Sequence, residues 1–526
     1  MIASNPRRPS QRITAASLGR RTAVLSSLML CVLAGCGGGG GTASSPSTSS
    51  TSSTSGSSGT TSTTGSTSGS SDTGGTTGSN GGGSASDTSS VPVATGAGAT
   101  YVVGNGGTLP TGATRVAALT AIDWSTLPAG SVVLVTPGTY AGITTITTVG
   151  TAANPVVVTA YDSTHPPVLT DSIDLQGAAW VQLSHLAIQA PSYAGFIIRL
   201  GSNHVTVSDS SVSAAFAGVN ITDAAGTGHR ILRNVISDSV VDGIDVEVNS
   251  DPAERTLIQH NTITRSGVHG IEVRASHYQV EYNIVSASGQ TSGGASGIHL
   301  FSGSPSEDSG DDNWVRYNLS YANVDTRAYD GNGIEADQWC DGNTIAFNQV
   351  WGNDGAGIIL YDASHNVVQN NTAWGNGVDS GGMMATRGEI VVSGTAAATV
   401  VGNQVWNNIG ASTRATVSAL YVDSRAVSGG NAIGANFLDN AADGPVLRWT
   451  DSSTKQTAAA IDAATGIAGN LVAAPAFTNT AAPLSDGLRL ATLPALTGLL
   501  PTGLLDFAGA SPASGDAFFG AYYTAP

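Results

Sequence analysis

Short runs of β-branched residues alternate with polar positions along most of the chain, and one phrase recurs. It consists of an aliphatic residue, two variable residues, an asparagine, one variable residue and a further aliphatic. The phrase spans Ile231 to Ile236, Ile258 to Ile263, Val280 to Val285, Val315 to Ser320, Ile345 to Val350 and Val368 to Ala373. Looser copies run from Val400 to Val405, Ile433 to Leu438 and Ile467 to Val472. Asparagine thereby falls at 234, 261, 283, 318, 348, 371, 403, 436 and 470. A second phrase, glycine then an aliphatic, opens at Gly218, Gly243, Gly270, Gly297, Gly333 and Gly357. Two phrases per period predict several strands per repeat. Ile244 and Val246 alternating with Asp245 and Glu247 have the period of two that belongs to a strand with one buried face. The apolar spacings of three and four that a helical solenoid needs are missing.

A period of about thirty residues built from such strands predicts a solenoid, here an all-β parallel β-helix. Equivalent residues on successive coils lie about 4.8 Å apart, so the asparagines are expected to hydrogen-bond to one another up the stack. A second column, Ser239, Ser266, Ser288, Asn323, Asn353, Asn376 and Asn408, is expected to behave alike. Three residues beyond the asparagines come Tyr321, Trp351, Trp374 and Trp406, a column expected to stack ring on ring.

The ends differ in kind from this middle. Residues 1–36 carry five arginines and an apolar run from Ala23 to Ala34, the pattern of an export signal. That run is too short for a transmembrane span. Residues 37–98 are almost wholly glycine, serine and threonine, which suits a flexible tether. The solenoid is expected over 99–474, with a short capping helix near Thr114 to Asp123, and 475–526 as a C-terminal cap. With a net charge of −17, which becomes more negative once the arginine-rich leader is set aside, the chain is a poor partner for nucleic acid. The three cysteines offer no disulfide framework: Cys31 and Cys36 fall in the leader, and Cys340 stands alone.

Charge is scarce, at 11% of residues, yet it collects on one predicted strip. If the second and fourth residues after each glycine point outward, successive coils display Asn220 and Thr222, Asp245 and Glu247, Glu272 and Arg274, His299 and Phe301, Glu335 and Asp337, then Ile359 and Tyr361. The outward residues of the first and last of these coils are uncharged, which confines the cluster. Asp242, His269 and Asp330 precede the glycines, and Asp311 and Asp312 lie in the longest central insertion. Crowded carboxylates repel one another unless a cation intervenes, so calcium is the expected cofactor, with Asp330, Asp337, Asp311 and Asp312 as its ligands. Arg274, His299, His269, Glu272 and Glu335 are the candidate catalytic residues; Asp245, Glu247, Asp337 and Tyr361 are the candidate substrate contacts. Two chemistries fit. In β-elimination, Arg274 or a cation neutralises a carboxylate on the substrate while histidines serve as base and acid. In glycoside hydrolysis, coil spacings of about 4.8 and 9.6 Å allow carboxylate pairs such as Asp245 with Glu272 or Glu272 with Glu335.

Two resemblances extend this reading. Leu33-Ala34-Gly35-Cys36 matches a bacterial lipobox, which implies lipidation of Cys36, attachment to the outer membrane through that lipid only, and a periplasmic or surface location. The turn Pro137-Gly138-Thr139-Tyr140, the asparagine phrases and the glycine-aliphatic phrases resemble the right-handed parallel β-helix superfamily of pectate lyases and related polysaccharide enzymes. That likeness implies an acidic polysaccharide as partner, a polysaccharide lyase acting on pectate or alginate, and a monomer. The alternatives are an inverting hydrolase or a non-catalytic polysaccharide-binding or adhesion protein. The stretch Asp330 to Tyr361 is similar to family-nine pectate lyases, but Asp337 stands at their lysine position and Ala356 and Ile359 at their calcium aspartates. The polygalacturonase motifs are not matched, since Val268-His269-Gly270 lacks the first glycine and no Arg-Ile-Lys is present.

Overall fold

The computed structural model describes residues 95–326, 330–379, 388–450, 452–494, 504–511 and 519–523. The chain divides into residues 1–86 and residues 87–526, and the described fold belongs to the second unit. The export signal, Cys36 and the tether up to residue 94 lie outside the described residues.

Each full coil gives one short strand to each of three sheets, of 14, 13 and 13 strands among the described residues, parallel throughout except where Ser453–Lys455 pairs antiparallel with Leu447–Trp449 at one end. One turn comprises Arg230–Leu232 in the first sheet, Val235–Ser237 in the second and Ile244–Val246 in the third. The next coil repeats it in register, with Ile231 opposite Ile258, Ile236 opposite Ile263 and Ile244 opposite Ile271. All six side chains are fully buried and join one continuous core through the solenoid. Apolar residues therefore stack along the axis as well as alternate along each strand, which is why β-branched residues dominate. The fold is a right-handed parallel β-helix.

Asparagines at the corner between the first and second sheets form the expected ladder. The Asn234 side chain donates to Asn261 Oδ1 at 3.0 Å, Asn261 to Asn283 at 3.0 Å, and the chain continues through Asn318, Asn348 and Asn371. Its next rung is Asn408, then Asn436 and Asn470, and not Asn403. The reason is register: Val405 pairs with Val368, so the asparagine three residues beyond each forms the ladder. Asn403, two residues before Val405, belongs to a separate ladder of Asn313, Asn343, Asn366, Asn403 and Asn431 that the sequence reading missed. The same shift removes Trp406 from the aromatic column. Tyr321, Trp351 and Trp374 are in register on the second sheet, with Tyr321 stacked on Trp351 at 4.5 Å, but Trp374 faces Ala411 and Trp406 lies on the first sheet.

The serine column does not behave like the asparagines. Asn323, Asn353 and Asn376 bond in sequence and end on the carboxylate of Glu389, whereas the hydroxyls of Ser239, Ser266 and Ser288 are buried without a partner.

At the N-terminal end the expected capping helix is instead a strand, Thr114–Val116, and a single 3-10 turn, Leu119–Ala121. Thr114 to Val116 pair with Tyr101 to Val103, and Arg115 is tied to the carbonyls of Gly104 and Gly106, so this segment extends the sheet. Leu119, Ile122, Trp124 and Leu127 are buried against the first coils. Towards the other end, the helix Ala458–Thr465 buries Ile461 in the core. The described part of 504–523 lies along the side of the solenoid, where Tyr317 donates to the Leu505 carbonyl at 2.9 Å and Gln349 to the Tyr522 hydroxyl at 3.0 Å. No described helix is long and apolar enough to cross a membrane.

Candidate functional site

The third sheet brings the sequence-predicted strip together. Asp174, Ile197, Asn220, Asp245, Glu272, His299, Glu335, Ile359 and Val391 follow one another in register, one per coil. Because neighbouring residues on their strands fill the core, these side chains point away from it. They are nevertheless sheltered: Asp245, Glu272, His299 and Glu335 are each under a tenth exposed. The charge also extends further than expected, since Asp174 is held by Arg199 at 2.7 Å toward the N-terminal end. Toward the C-terminal end the row turns apolar, where Ile359, Val391 and Tyr421 pack with Tyr361.

Arg274 is the cationic centre. It pairs with Glu247, with Asp245 at 3.2 Å and, through Nε, with Glu272 at 3.8 Å. Asn220 donates to Asp245 at 3.0 Å and Thr222 to Glu247 at 2.5 Å, so the residues of one coil hold the carboxylates of the next. His299 lies on the following coil, with Nδ1 2.6 Å from Glu272 and Nε2 3.7 Å from Asp337. His269 stacks on it, and its Nε2 is 3.5 Å from the same Glu272 oxygen.

A further column, which the sequence reading did not assemble, orients these groups. It consists of the residue just before each glycine: Asp242, His269, Ser296 and Asn332. The backbone N–H of His269 donates to Asp242, that of Ser296 to His269 Nδ1 at 3.1 Å, and that of Ala356 to Asn332 at 2.8 Å. Since Nδ1 accepts, neutral His269 carries its proton on Nε2, facing Glu272. Ser296 and Asn332 also donate to Glu335, at 2.5 and 2.9 Å. Their signal in the sequence was a polar residue at one fixed offset from a repeated glycine.

Burial and neighbouring charge drive these groups apart in proton affinity. Burial pushes Asp245 up to about 7, with Glu247 and Glu272 adding to the rise against the pull of Arg274. Burial also raises Asp242, Asp330 and Glu335, the last two further through Asp337. Glu272 goes the other way: burial raises it, but His299, His269 and Arg274 together bring it down to about 2. Burial lowers His269 to about 3, whereas His299, despite equal burial, is held well above the usual imidazole range by Glu272 and Asp337. Carboxylate crowding is therefore relieved by protons, an arginine and an imidazolium.

Two groups of side chains are arranged so that they could hold a metal: His269, Glu272 and His299, and His299, Glu335 and Asp337, with ligand atoms within 4.8 Å of one another. Among the described residues these are the groups that converge in this way, and both contain imidazole, which suits transition metals better than calcium. Of the expected calcium ligands, Asp337 alone belongs to one of these groups; Asp330, raised first by burial, lies near enough to Glu335 and Asp337 for their charges to raise it further. Asp311 and Asp312 belong to neither group: Asp311 accepts the Asp341 N–H, and Asp312 lies 3.7 Å from His277. Cys340 is buried and free, and burial raises its thiol, which disfavours the thiolate.

Aromatic residues bracket the strip. Tyr193 stacks on Phe216 at 5.3 Å, its hydroxyl raised by burial and further by the charges of Asp245 and Glu247, and Phe301 and Tyr361 follow at the other end.

Residues 171–345 and 320–427 match the family model described as the right handed beta helix region. No curated protein matches the sequence. Among solved structures, the periplasmic alginate epimerase AlgG is similar at 14% identity, over 66% of this chain and 77% of that one, with a TM-score of 0.42. A mannuronic acid specific polysaccharide family 6 lyase from human gut microbiota is similar at 15% identity, over 60% and 81%, with a TM-score of 0.40. The GH136 lacto-N-biosidase from Eubacterium ramulus is similar at 12% identity, over 66% and 67%, with a TM-score of 0.40. These are likenesses of fold. The register of its three sheets makes the chain a parallel β-helix protein, and it carries a sheltered acid-base cluster on the outward row of its third sheet.

Proposed function

We propose that the protein cleaves an acidic polysaccharide bound along this strip, as a lyase acting on a uronic-acid polymer such as pectate or alginate. The observation that carries the reading is the placement of Asp245 and His299 one coil on either side of Arg274. Arg274 is a third exposed, and Glu247, similarly exposed, is its most replaceable partner. A uronate carboxylate would exchange for Glu247 there, which withdraws charge from the adjacent carbon. Asp245, ionised above about pH 7, removes the proton on that carbon. The electron pair forms the new double bond as the glycosidic C–O bond breaks, and His299, protonated by virtue of Glu272 and Asp337, gives its proton to the leaving oxygen. Neutral His269 and Glu272 position His299, and the flanking aromatic rings offer surfaces to the sugars. Calcium has no step in this scheme.

Hydrolysis is the second reading, favoured by one observation: Glu335, raised by burial and by Asp337, lies with Asp337 in a single tight group. A carboxyl held protonated beside a second acidic group is how glycoside hydrolases set the acid apart from the nucleophile, and with oxygens within 4.8 Å this pair is nearer the retaining spacing of about 5 to 5.5 Å than the wider inverting one expected from the sequence. Export, lipidation at Cys36 and attachment to the outer membrane complete the proposal and rest on the N-terminal sequence.

The test is incubation of the purified domain with pectate, alginate and glycosaminoglycans, following ultraviolet absorbance of the unsaturated product and, separately, reducing ends. Rising absorbance supports the lyase, and reducing ends without it support hydrolysis. Binding of polymer with neither signal would make the protein a non-catalytic binder.

A further inference from the structure

A cavity of about 360 Å³ opens on the first sheet, a different sheet from the one that carries Asp245 and His299. Gln182, Thr206, Arg230 and Leu257, one per coil in register, line it. Trp180 and His204 add a stacked pair with centroids 4.0 Å apart, and Glu254 and Arg255 complete the lining.

Arg230 is exposed, and its guanidinium makes no hydrogen bond, ion pair or ring contact among the described residues. By contrast Arg199, Arg233 and Arg265 are each held by an aspartate, at 2.7 Å. In a chain with 37 acidic residues against 20 basic ones, a cation left without a carboxylate stands out. The nearby acid does not serve it, because Glu254 lies 3.2 Å from His204. Arg255 adds a second positive charge, resting over Trp314 at 4.5 Å and bonded only to the Asp312 carbonyl. The Trp180 indole N–H, the Gln182 amide and the Thr206 hydroxyl also have no hydrogen-bond partner within the described chain.

We propose that this cavity is a second carbohydrate site, which takes an anionic sugar residue. Arg230 receives the carboxylate, Trp180 packs against the ring, and Gln182 and Thr206 bond to hydroxyls. A bare phosphate or acetate would use the arginine and leave the indole and the neutral donors idle. The volume is at the lower end of the range for small-molecule sites, which suits one or two sugar rings. The strand that bears Asp245 leads through Glu247 into the loop that carries Glu254 and Arg255, so one polymer-binding protein would hold its ligand on two faces. The proposal rests on the cavity alone and stands whether or not the strip is catalytic.

Isothermal titration with trigalacturonate, trimannuronate and triguluronate tests it, using the full chain carrying Arg274→Met, which removes both turnover and the guanidinium that would hold a uronate on the strip. At least one trimer should bind, with Arg230→Ala weakening it about tenfold or more and Trp180→Ala acting in the same direction. Both variants alter exposed or half-buried side chains, and their melting curves check the fold. Retained affinity in Arg230→Ala, equal binding of neutral maltotriose, complete displacement by acetate or phosphate at matched concentration, or no binding of any trimer would each overturn the assignment.

Discussion

His299 lies flat on His269, with ring centroids 4.2 Å apart and planes inclined by 2°, yet their surroundings drive the two imidazoles apart, His269 toward the neutral form and His299 toward the cation. Glu272 is shared between them, 2.6 Å from His299 Nδ1 and 3.5 Å from His269 Nε2. His269 falls to about 3 in the folded protein, so the unfolded chain binds more protons between pH 3 and its ordinary value of about 6.5. Its contribution to stability is complete above that range and is lost as the pH falls through it. His299 is raised, so its contribution is complete below about pH 6.5 and is lost as the pH climbs through the folded value. Melting temperature measured across pH should therefore fall on both sides. His269→Gln should flatten the acid side, and His299→Gln the alkaline side. An acid limb unchanged in His269→Gln would refute the assignment.

Asp245 sets the lower limit of activity. With its carboxyl raised to about 7, the fraction able to act as base grows as the pH rises through that value. Turnover should climb through about pH 7 and decline once His299 loses its proton at higher pH. Asp245→Asn should lower turnover by a factor of about 10² to 10⁴ while leaving polymer binding in place. An activity plateau extending down to pH 5 would assign the base elsewhere.

Arg274 holds three carboxylates together. Arg274→Met leaves Asp245, Glu247 and Glu272 facing one another, which should cost about 2 to 4 kcal/mol in denaturant unfolding, the exposure of Arg274 and Glu247 keeping it below the cost of a fully buried pair. A lyase should also lose activity in this variant. Under the hydrolase reading, Glu335→Gln is the more damaging change.

Asn348 is a middle rung of the long ladder, accepting from Asn318 and donating to Asn371 and to the Val315 carbonyl. Asn348→Ala strands the Asn318 donors on one side and the Asn371 and Val315 acceptors on the other, so a loss of about 2 to 4 kcal/mol is expected. Ser266→Ala removes a hydroxyl that bonds to nothing and should be nearly neutral.

Chelation should leave both stability and activity intact, since protons and the two cations already offset the crowded carboxylates. Zinc should inhibit, by competing for His299 and its carboxylate neighbours, and more strongly as the pH rises. Loss of activity in EDTA restored by calcium would return calcium to the mechanism.

The solenoid was legible because its driving force is local and periodic. An aliphatic residue at Ile231, Ile258 and Val280 is repeated at the spacing of one coil, and the outward strip from Asp245 to Asp337 follows from alternation alone. Register over the irregular coils was not. The insertion between Trp374 and Val405 changes the coil length, so Asn403 and Asn408 are equally good rungs until backbone pairing selects Asn408. Tertiary structure also decided the chemistry. Which carboxylates stay ionised depends on distance and burial: Glu272 meets two imidazoles and Arg274, whereas Asp242, two coils' worth of sequence from Ser296, meets mainly other acids. Sequence specified which side chains share a face, through periodicity; only the packed coils determined which of them carry protons, because proton affinity is set by solvent exclusion and by charges that lie far apart along the chain.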